Sequence, residues 1–322
     1  MKTTIIIPNY NGIEYLDACL TSLSKCEPKD FHIIVVDNGS TDGSAKLIKE
    51  KFPEIEGVFL AENTGFAPAV NRGLEKTETP YALLLNNDIL VEPDFVAQME
   101  RALEKRENCF SVSAKMLQMH APELLDGAGD LYCALGWAFA LGKGKAAKDH
   151  YTKPAKIFSS CGGAVIYHMD ILKKIGFFDE NHFAYLEDVD LGYRAKIHGY
   201  DNWYEPSAVV YHAGSAFSGS RYNEFKTKLA SRNSIYIILK NMPLLQIIIN
   251  LPFLLLGFLT KIAFFIKKGH GHTYCKGLLN GFKLYFSEAG HSHKIPFKMK
   301  HLKNYIKIEF ELLYNIWRRI IG

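Results

Sequence analysis

Strand and helix patterns alternate through the first ninety residues of this 322-residue chain, and this alternation constrains its fold most. Short apolar runs predict strands at 4–7, 32–36, 58–60 and 81–85. Helical spacing of apolar residues predicts intervening helices at 13–23, 45–52 and 67–76. Strands that alternate with helices favour right-handed crossovers and a mostly parallel sheet. We therefore expect an α/β fold, in which ligands bind beyond the carboxyl ends of the strands.

Polar clusters occupy the predicted strand ends, at 9–12, 37–42, 63–65 and 86–88. In the second cluster, Asp37 and Asn38 offer short hydrogen-bond acceptors that can hold a nucleobase or a ribose. The same residue types are favoured in turns and at helix N-caps. This cluster alone therefore fits either a ligand site or a turn.

Two residues at strand ends are candidate ligands for a divalent cation. Asp88 follows the apolar run 82–85, and His212 follows the valines at 209–210. Hard cations prefer oxygen ligands, and a neutral imidazole can complete such a site. Taken singly, an aspartate in this position is more often a loop cap, and a lone histidine is more often structural.

Three carboxylates lie within residues 187–190, at the start of a predicted helix. One of them could serve as a general base, because neighbouring carboxylates raise a pKa whereas the helix N-terminus lowers it. Acids are also common in a first helical turn, and Asp190 with Arg194 makes an ordinary i,i+4 pair. Earlier in the chain, Gly162 and Gly163 allow close approach of a ligand to the backbone, or form a plain turn.

The rest of the chain divides into a middle region and a basic tail. The middle, about 105–215, is irregular and rich in Gly and aromatic residues, which predicts mixed β structure and loops that close over the sheet. Residues 261–322 hold twelve Lys/Arg against three Asp/Glu, a net charge of +9. Because the whole chain carries +4, residues 1–260 carry −5. An acidic body with a basic tail favours an anionic partner, either membrane lipid or nucleic acid.

The uncharged segment 241–260 has the length of a membrane span, although Pro243 and Pro252 weaken that interpretation. A helix lying in the membrane interface fits equally well, and a buried core helix is the third alternative. Six scattered cysteines without a C-x-x-C pair indicate reduced thiols in a cytosolic protein. The N-terminal residues do not have the pattern of a signal peptide.

Taken in order, these motifs closely resemble those of the family 2 glycosyltransferases with the GT-A fold, particularly the rhamnosyltransferase-like branch. The resemblance covers about residues 3–215 and rests on Asn71, Arg194 and the segments 7–12, 36–44, 62–66, 85–88, 162–164, 178–180, 187–191 and 211–212. Each motif is weak alone, whereas their shared order is specific. Asn86 stands at the first position of the family's metal-binding D-x-D motif, so this chain offers one charged ligand fewer.

The resemblance implies a role for each matching residue. The donor nucleotide site would be lined by Pro8, Asn9, Tyr10, Asp37, Asn38, Asn63, Gly65, Asn71 and Asn87. A divalent metal, Mg²⁺ or Mn²⁺, would be held by Asp88 and His212. The catalytic base would be Asp188, with Glu187 as the alternative. The acceptor side would include Gly162, Gly163 and Asp190.

The implied chemistry is the inverting transfer of rhamnose or a hexose from a nucleotide-diphosphate sugar to an acceptor hydroxyl. The donor would be dTDP-rhamnose or a UDP-sugar, and the acceptor a lipid-linked or cell-surface glycan. We expect a GT-A domain at 1–220, a mostly parallel sheet flanked by helices, and a helical, basic, membrane-associating region at 221–322. The expected location is the cytoplasmic face of the cell membrane, by peripheral attachment or a single span.

Other classes of protein fit the sequence less well. A nicotinamide-dependent dehydrogenase would need a G-x-G-x-x-G turn after the first strand, where this chain has 8–12. A processive polysaccharide synthase would carry a Q-x-x-R-W string, which does not occur. The basic tail lacks a recognisable nucleic-acid-binding module, so we expect no nucleic-acid partner. An inactive nucleotide-sugar-binding scaffold of a glycan assembly complex is the alternative to an enzyme.

Overall fold

The structure is a computed structural model that describes residues 1–214 and 223–321. The first elements are β1 (Thr3–Asn9), α1 (Ile13–Leu23), β2 (Phe31–Asp37), α2 (Ser44–Lys51), β3 (Glu56–Phe59), α3 (Phe66–Glu75), β4 (Tyr81–Leu85), β5 (Ile89–Val91) and α4 (Phe95–Glu104). There follow β6 (Cys109–Gln118), β7 (Ala121–Gly127), β8 (Asp130–Cys133), β9 (Trp137–Ala140), β10 (Ala155–Ile157), β11 (Ala164–His168), α5 (Met169–Ile175), α6 (Glu187–Ile197) and β12 (Asp201–His212). The last helices are α7 (Glu224–Asn241), α8 (Leu244–Lys267), α9 (Gly271–Phe286), α10 (Glu288–Ser292) and α11 (Leu302–Ile321).

One mixed sheet organises the fold, with the strand order β10-β12-β6-β11-β4-β1-β2-β3. Strands β1 to β4 run parallel, as the alternating pattern predicts. Strand β11 lies antiparallel between β4 and β6, and β12 runs parallel to β6. The short strands β5 and β7 pair with β12 and β6 outside this order. The predicted α/β class, a sheet flanked by helices, is confirmed.

Strand β1 shows why its apolar run is continuous. Ile5 and Ile7 pack on one face of the sheet together with Leu16 of α1. Ile6, between them, packs on the other face together with Val70 of α3. Because successive side chains of a strand point to opposite faces, helices on both faces require apolar residues at every position.

The middle of the chain differs from its prediction in one respect. Strands β6, β11 and β12 lie within the main sheet, so the expectation that this region only closes over the sheet is wrong for them. Strand β6 pairs with β12, about ninety residues further on, from Asp201↔Cys109 to His212↔Gln118. Such long-range pairing leaves no periodic signal in a local stretch of sequence. Only the hairpin of β8 and β9 forms a separate two-stranded sheet among the described residues.

The C-terminal helices pack against the sheet domain and share a core with it. Tyr193 of α6 clusters with Ile237 of α7, Leu254 of α8 and Leu312 of α11. The predicted helical character of this region is confirmed. The predicted division between residues 220 and 221 lies outside the described residues, and it stays a prediction.

Candidate active site

The carboxyl ends of β1 and β2 and the loop after β4 meet in one hydrogen-bonded chain. Asn9 donates from Nδ2 to Asp37 Oδ1 over 2.8 Å. Asn87 in turn donates from Nδ2 to Asn9 Oδ1 over 2.6 Å. The second oxygen of Asp37 accepts from the backbone N–H of Ser40. Three residues expected at the nucleotide site are thus brought together, and Asn9 and Asp37 are buried.

Asn38 holds the loop at 63–65 beside these hydrogen-bonded side chains. Its Nδ2 donates to Asn63 Oδ1 and to the carbonyl of Gly65, and its Oδ1 accepts from the N–H and hydroxyl of Thr64. Gly65 has φ +101°, and a Cβ there would lie 2.6 Å from the ring of Phe183. A glycine is therefore required at this close approach of two loops.

The other residues expected at the nucleotide site lie in different structural elements and make different contacts. Pro8 pairs with Val36 within the sheet, and Tyr10 follows β1 directly. Asn71 of α3 donates to the carbonyl of Phe178, and its Oδ1 accepts the N–H of the same residue. The Asn71 amide therefore fixes the backbone near Phe178, and its role at the nucleotide site stays a prediction.

His212 lies between two aspartates at the end of β12. Its Nδ1 is 2.7 Å from Asp126 Oδ2, and its Nε2 is 3.4 Å from Asp88 Oδ1. The pairing of His212 with Ile89 of β5 brings it beside Asp88. Burial alone would lower the pKa of His212, but its hydrogen bond to Asp126 and the nearby charge of Asp88 raise it to about 9. The two predicted metal ligands are therefore neighbours.

These residues suit a divalent cation. Asp88 Oδ1 is buried and accepts no hydrogen bond from residues 1–214 or 223–321. Burying an unpaired carboxylate oxygen is costly, and a hard cation supplies the missing partner. A cation bound here would displace the proton on His212 Nε2, while Nδ1 would keep its hydrogen bond to Asp126, as carboxylate–histidine–metal groups require.

A strained loop leads into the acidic start of α6. Phe183, Tyr185 and Leu186 all have φ between 61° and 70°, a region that is unfavourable for residues other than glycine. Asn233 of α7 donates from Nδ2 to the carbonyls of His182, Ala184 and Tyr185. A side chain of the C-terminal region therefore fixes the loop that immediately precedes Glu187 and Asp188.

Asp188 lies in a group of acids at the glycine turn. Its Oδ2 accepts from the N–H of Gly162 at 3.3 Å, and its Oδ1 accepts from the N–H of Val189. One ligand atom each of Asp188, Asp130 and Cys161 lies within 4.8 Å of the others. Burial raises the pKa of Asp188. Burial and the charge of Asp188 raise the pKa of Asp130 to about 8.

Glu187, the alternative base, has a different environment. Its Oε2 is buried without a hydrogen-bond partner in the described part of the chain. Burial, with the charge of Asp188 second, raises the pKa of Glu187 to about 8. Asp188 accepts a backbone hydrogen bond on each of its two oxygens, whereas Glu187 Oε2 accepts none from the described residues.

The glycine turn joins the cation side of the site to the acid side. The N–H of Asn86, two residues before Asp88, donates to the carbonyl of Gly163 at 2.8 Å. The N–H of Gly162 donates to Asp188, as described above. The Asn86–Asp88 loop and Asp188 therefore contact the same two-residue turn and lie on the same side of the molecule.

Asp190 does not have the environment expected of an acceptor-side residue. It is fully buried, and its Oδ2 accepts from Arg194 Nε and Lys240 Nζ at 2.9 and 2.8 Å. Its Oδ1 accepts from Asn241 Nδ2. Burial would raise the pKa of Asp190, but Lys240 and Arg194 lower it. Both oxygens are engaged within the protein, so Asp190 joins α6 to α7. Its place on the acceptor side stays a prediction.

Several residues of the site carry no signal in the sequence. Asp126 and Asp130 lie in an irregular stretch, and Asn233 and Lys240 lie in a helix far along the chain. Their partners are 48 to 86 residues away. Asp126 lies within β7, directly after Leu124 and Leu125, and so short an apolar pair does not predict a site residue.

The mixed sheet, with parallel strands β1 to β4 and helices on both faces, has the GT-A fold. A mannosyltransferase from Pyrobaculum calidifontis, solved with GDP-Man and Mn²⁺, superposes with a TM-score of 0.52 and 15% identity. The superposition covers 96% of this chain and 87% of that one. Residues 4–176, more than half of the chain, match the sequence profile of Glycosyl transferase family 2. The protein belongs to this family.

Two relatives show that similar sequences occur in proteins with different activities. An N-acetylglucosaminyl-diphospho-decaprenol L-rhamnosyltransferase of Mycobacterium tuberculosis is 25% identical over 237 residues, which cover 65% of this chain and 75% of the relative. A teichoic acid poly(glycerol phosphate) polymerase of Staphylococcus epidermidis is 43% identical over 91 residues. That match covers 27% of this chain and only 13% of the polymerase, so the likeness concerns one segment of a much longer protein.

Proposed function

We propose that this protein is an inverting, metal-dependent glycosyltransferase that acts in the synthesis of a cell-wall or cell-surface glycan. The observation that carries the proposal is the glycine turn, since it joins the loop of Asp88 to Asp188. Donor activation and acceptor deprotonation need groups on opposite sides of one sugar-sized space. Asp88 with His212 supplies the first group, and Asp188 supplies the second.

In the proposed reaction, the acceptor oxygen attacks the anomeric carbon from the face opposite the nucleotide. Its proton passes to Asp188 Oδ2 or Oδ1 while the bond from the anomeric carbon to the diphosphate oxygen breaks. A divalent cation bound by Asp88 and His212 would neutralise the charge on the departing diphosphate. The hydrogen-bonded side chains of Asp37, Asn9 and Asn87 hold the nucleotide end of the donor. Positioning of the two substrates supplies most of the rate enhancement.

The relatives support a proposal for the class of substrates. The rhamnosyltransferase relative is named for a diphospho-decaprenol acceptor, which supports a lipid-linked acceptor for this chain. Rhamnose and hexoses remain the proposed sugars, donated by dTDP-rhamnose or a UDP-sugar. A lipid-linked acceptor also agrees with action at the cytoplasmic face of the membrane.

A donor panel tests the proposal against the inactive-scaffold alternative. The purified chain is mixed with dTDP-rhamnose, UDP-glucose, UDP-N-acetylglucosamine or GDP-mannose, with Mn²⁺, Mg²⁺ or EDTA, and with a short polyprenyl-diphospho-sugar acceptor. We expect one donor to release nucleotide diphosphate only when the cation is present, and the product to have inverted anomeric configuration by NMR. Nucleotide-sugar binding without transfer or hydrolysis of any donor would favour the scaffold.

A further inference from the structure

Helix α8 has its polar and apolar sides reversed relative to a helix of a soluble protein. Asn250 is 0% exposed and Gln246 is 5% exposed, whereas Leu245 and Leu256 are 68% and 60% exposed. Only 17% of its most apolar 18-residue window is buried. Gln246 and Asn250 face the protein, whereas the leucines of α8 other than Leu254 are exposed, which excludes a core helix.

The side of α8 that faces the protein is held to the catalytic domain by hydrogen bonds and a close backbone contact along much of its length. Gln246 Oε1 accepts from the hydroxyl of Tyr193 in α6 at 2.9 Å. Trp137 of the β8–β9 hairpin donates from Nε1 to the carbonyl of Gly257 at 3.1 Å. A Cβ on Gly257 would lie 2.1 Å from the carbonyl oxygen of Leu135, so the backbones touch. These contacts extend over about 16 Å of the helix axis.

These contacts are incompatible with α8 spanning a membrane. The hydrocarbon core of a bilayer is about 30 Å thick, and a crossing helix is surrounded by lipid or by other membrane helices over that depth. If α8 crossed, Tyr193 and the β8–β9 hairpin would have to enter the hydrocarbon with it. The same contacts leave the outward side of α8 free to lie flat in the membrane interface.

Two neighbouring helices extend the apolar surface. Helix α11 buries one side, including Leu312, and exposes a stripe that contains Phe310 at 71% and Ile320 at 78%. Gln246 and Asn250 of α8 both donate to Glu309, which ties α11 to α8. Helix α9, which also packs on α8, exposes the stripe Leu279, Phe282 and Phe286.

Basic side chains accompany these stripes. Lys276 and Lys283 of α9 and Lys303 and Lys307 of α11 are exposed. The segment 261–322 holds twelve Lys/Arg against three Asp/Glu. Exposed apolar stripes flanked by lysines match the interface of a bilayer that contains anionic lipid, where each lysine near the surface adds to binding.

We propose that α8, α9 and α11 form a monotopic membrane-binding face for a bilayer with anionic lipid, and that α8 lies in the interface without crossing. The outer face is defined by the outward residues Leu245, Leu256, Leu259, Leu279, Phe282, Phe286, Phe310, Trp317 and Ile320. This inference deepens the proposed function, because it determines how the enzyme meets a lipid-linked acceptor. A spanning α8 would place α9 and α11 across the bilayer from the active site.

Topology is tested by labelling the full chain in inverted membrane vesicles, whose outer side is cytoplasmic. In a Cys275→Ser background, Lys46→Cys marks the catalytic domain on α2, and Ser292→Cys marks α10, which follows α8 and lies away from the outer face, beside Thr64. We expect a membrane-impermeant maleimide to label both positions without detergent, above the signal of the Cys275→Ser parent. If Ser292→Cys is labelled only after detergent is added, α8 spans the membrane and the proposal is wrong.

Flotation tests the outer face itself and needs no catalytic activity. The wild-type chain is expected to float with phosphatidylglycerol–phosphatidylcholine vesicles and less with phosphatidylcholine alone. Leu256→Glu with Leu259→Glu should weaken binding about tenfold or more, whereas Lys46→Glu, with the same change of charge, should not. Unchanged flotation of the double variant, or none by the wild type, overturns the proposal. Donor hydrolysis in solution reports separately on the proposed function.

Discussion

Asp126 Oδ2 lies 2.7 Å from His212 Nδ1, which joins two residues 86 positions apart in the sequence. This contact directs His212 Nε2 toward Asp88 Oδ1. The second oxygen of Asp126 accepts from Lys143, so the carboxylate is itself held in place. Burial would raise the pKa of Asp126, but hydrogen bonds from His212 and Lys143 lower it to about 2, which keeps it ionised at neutral pH.

Asp126→Asn is expected to weaken Mn²⁺ or Mg²⁺ binding about 10–100-fold, because the histidine loses the group that sets its tautomer and orientation. Mn²⁺ affinity is measured by electron paramagnetic resonance of free Mn²⁺, with nucleotide diphosphate present. Asp170→Asn, an exposed acid in the first turn of α5, is the matched control. Equal Mn²⁺ affinity of Asp126→Asn and wild type would show that Asp126 does not orient a ligand.

The pKa of Glu187 predicts a pH-dependent stability. In the folded protein burial raises this pKa to about 8, whereas an unfolded glutamate titrates near about 4.3. Between these values the folded state binds a proton that the unfolded state has lost, so stability is present at low pH and decreases as the pH rises. Urea unfolding between pH 5 and pH 8 should show a smaller decrease for Glu187→Gln than for wild type. Parallel curves would contradict the raised pKa.

Lys240 joins the C-terminal region to the acid helix through two buried ion pairs. Its Nζ lies 2.7 Å from Asp179 Oδ2 and 2.8 Å from Asp190 Oδ2, and all three side chains are buried. Lys240→Met removes the positive charge that pairs with two buried carboxylates. We therefore expect a loss of about 3–5 kcal/mol in the free energy of unfolding. Chemical denaturation measures this loss.

The control for Lys240→Met is the same substitution at a surface ion pair. Lys46 lies 3.9 Å from Glu50, and both side chains are mostly exposed. Lys46→Met should cost at most about 1 kcal/mol. If the two substitutions cost the same, the buried network does not hold α7 to α6.

The first half of the sheet was predictable because its signals are local. The strand 81–85 has the predicted bounds, and the helix predicted at 67–76 is α3 (Phe66–Glu75). Asp88 and His212 were found as strand-end residues, and the structure brings them together. Strand β11 is inserted antiparallel between β4 and β6, and its position follows from long-range pairing that no local pattern records.

Asp190 and Asn71 have hydrogen-bond partners within the protein that their sequence motifs do not reveal. The sequence places Asp190 two residues after Asp188, but two residues spaced in this way on a helix point about 200° apart. Asp188 therefore faces the glycine turn while Asp190 faces Lys240. Asn71 likewise lies in a motif of the nucleotide site, yet its amide is engaged by the backbone of Phe178. Sequence order alone does not distinguish these directions.

Asp188→Asn tests the central claim most directly, since the amide keeps the size of the side chain and cannot accept the acceptor proton. Calorimetry of nucleotide-sugar binding and a transfer assay are run on the same preparation. Nucleotide-sugar affinity is expected to equal that of wild type, while transfer falls about 10²–10⁴-fold. Near-normal transfer by Asp188→Asn would contradict its role as the base that faces the incoming hydroxyl.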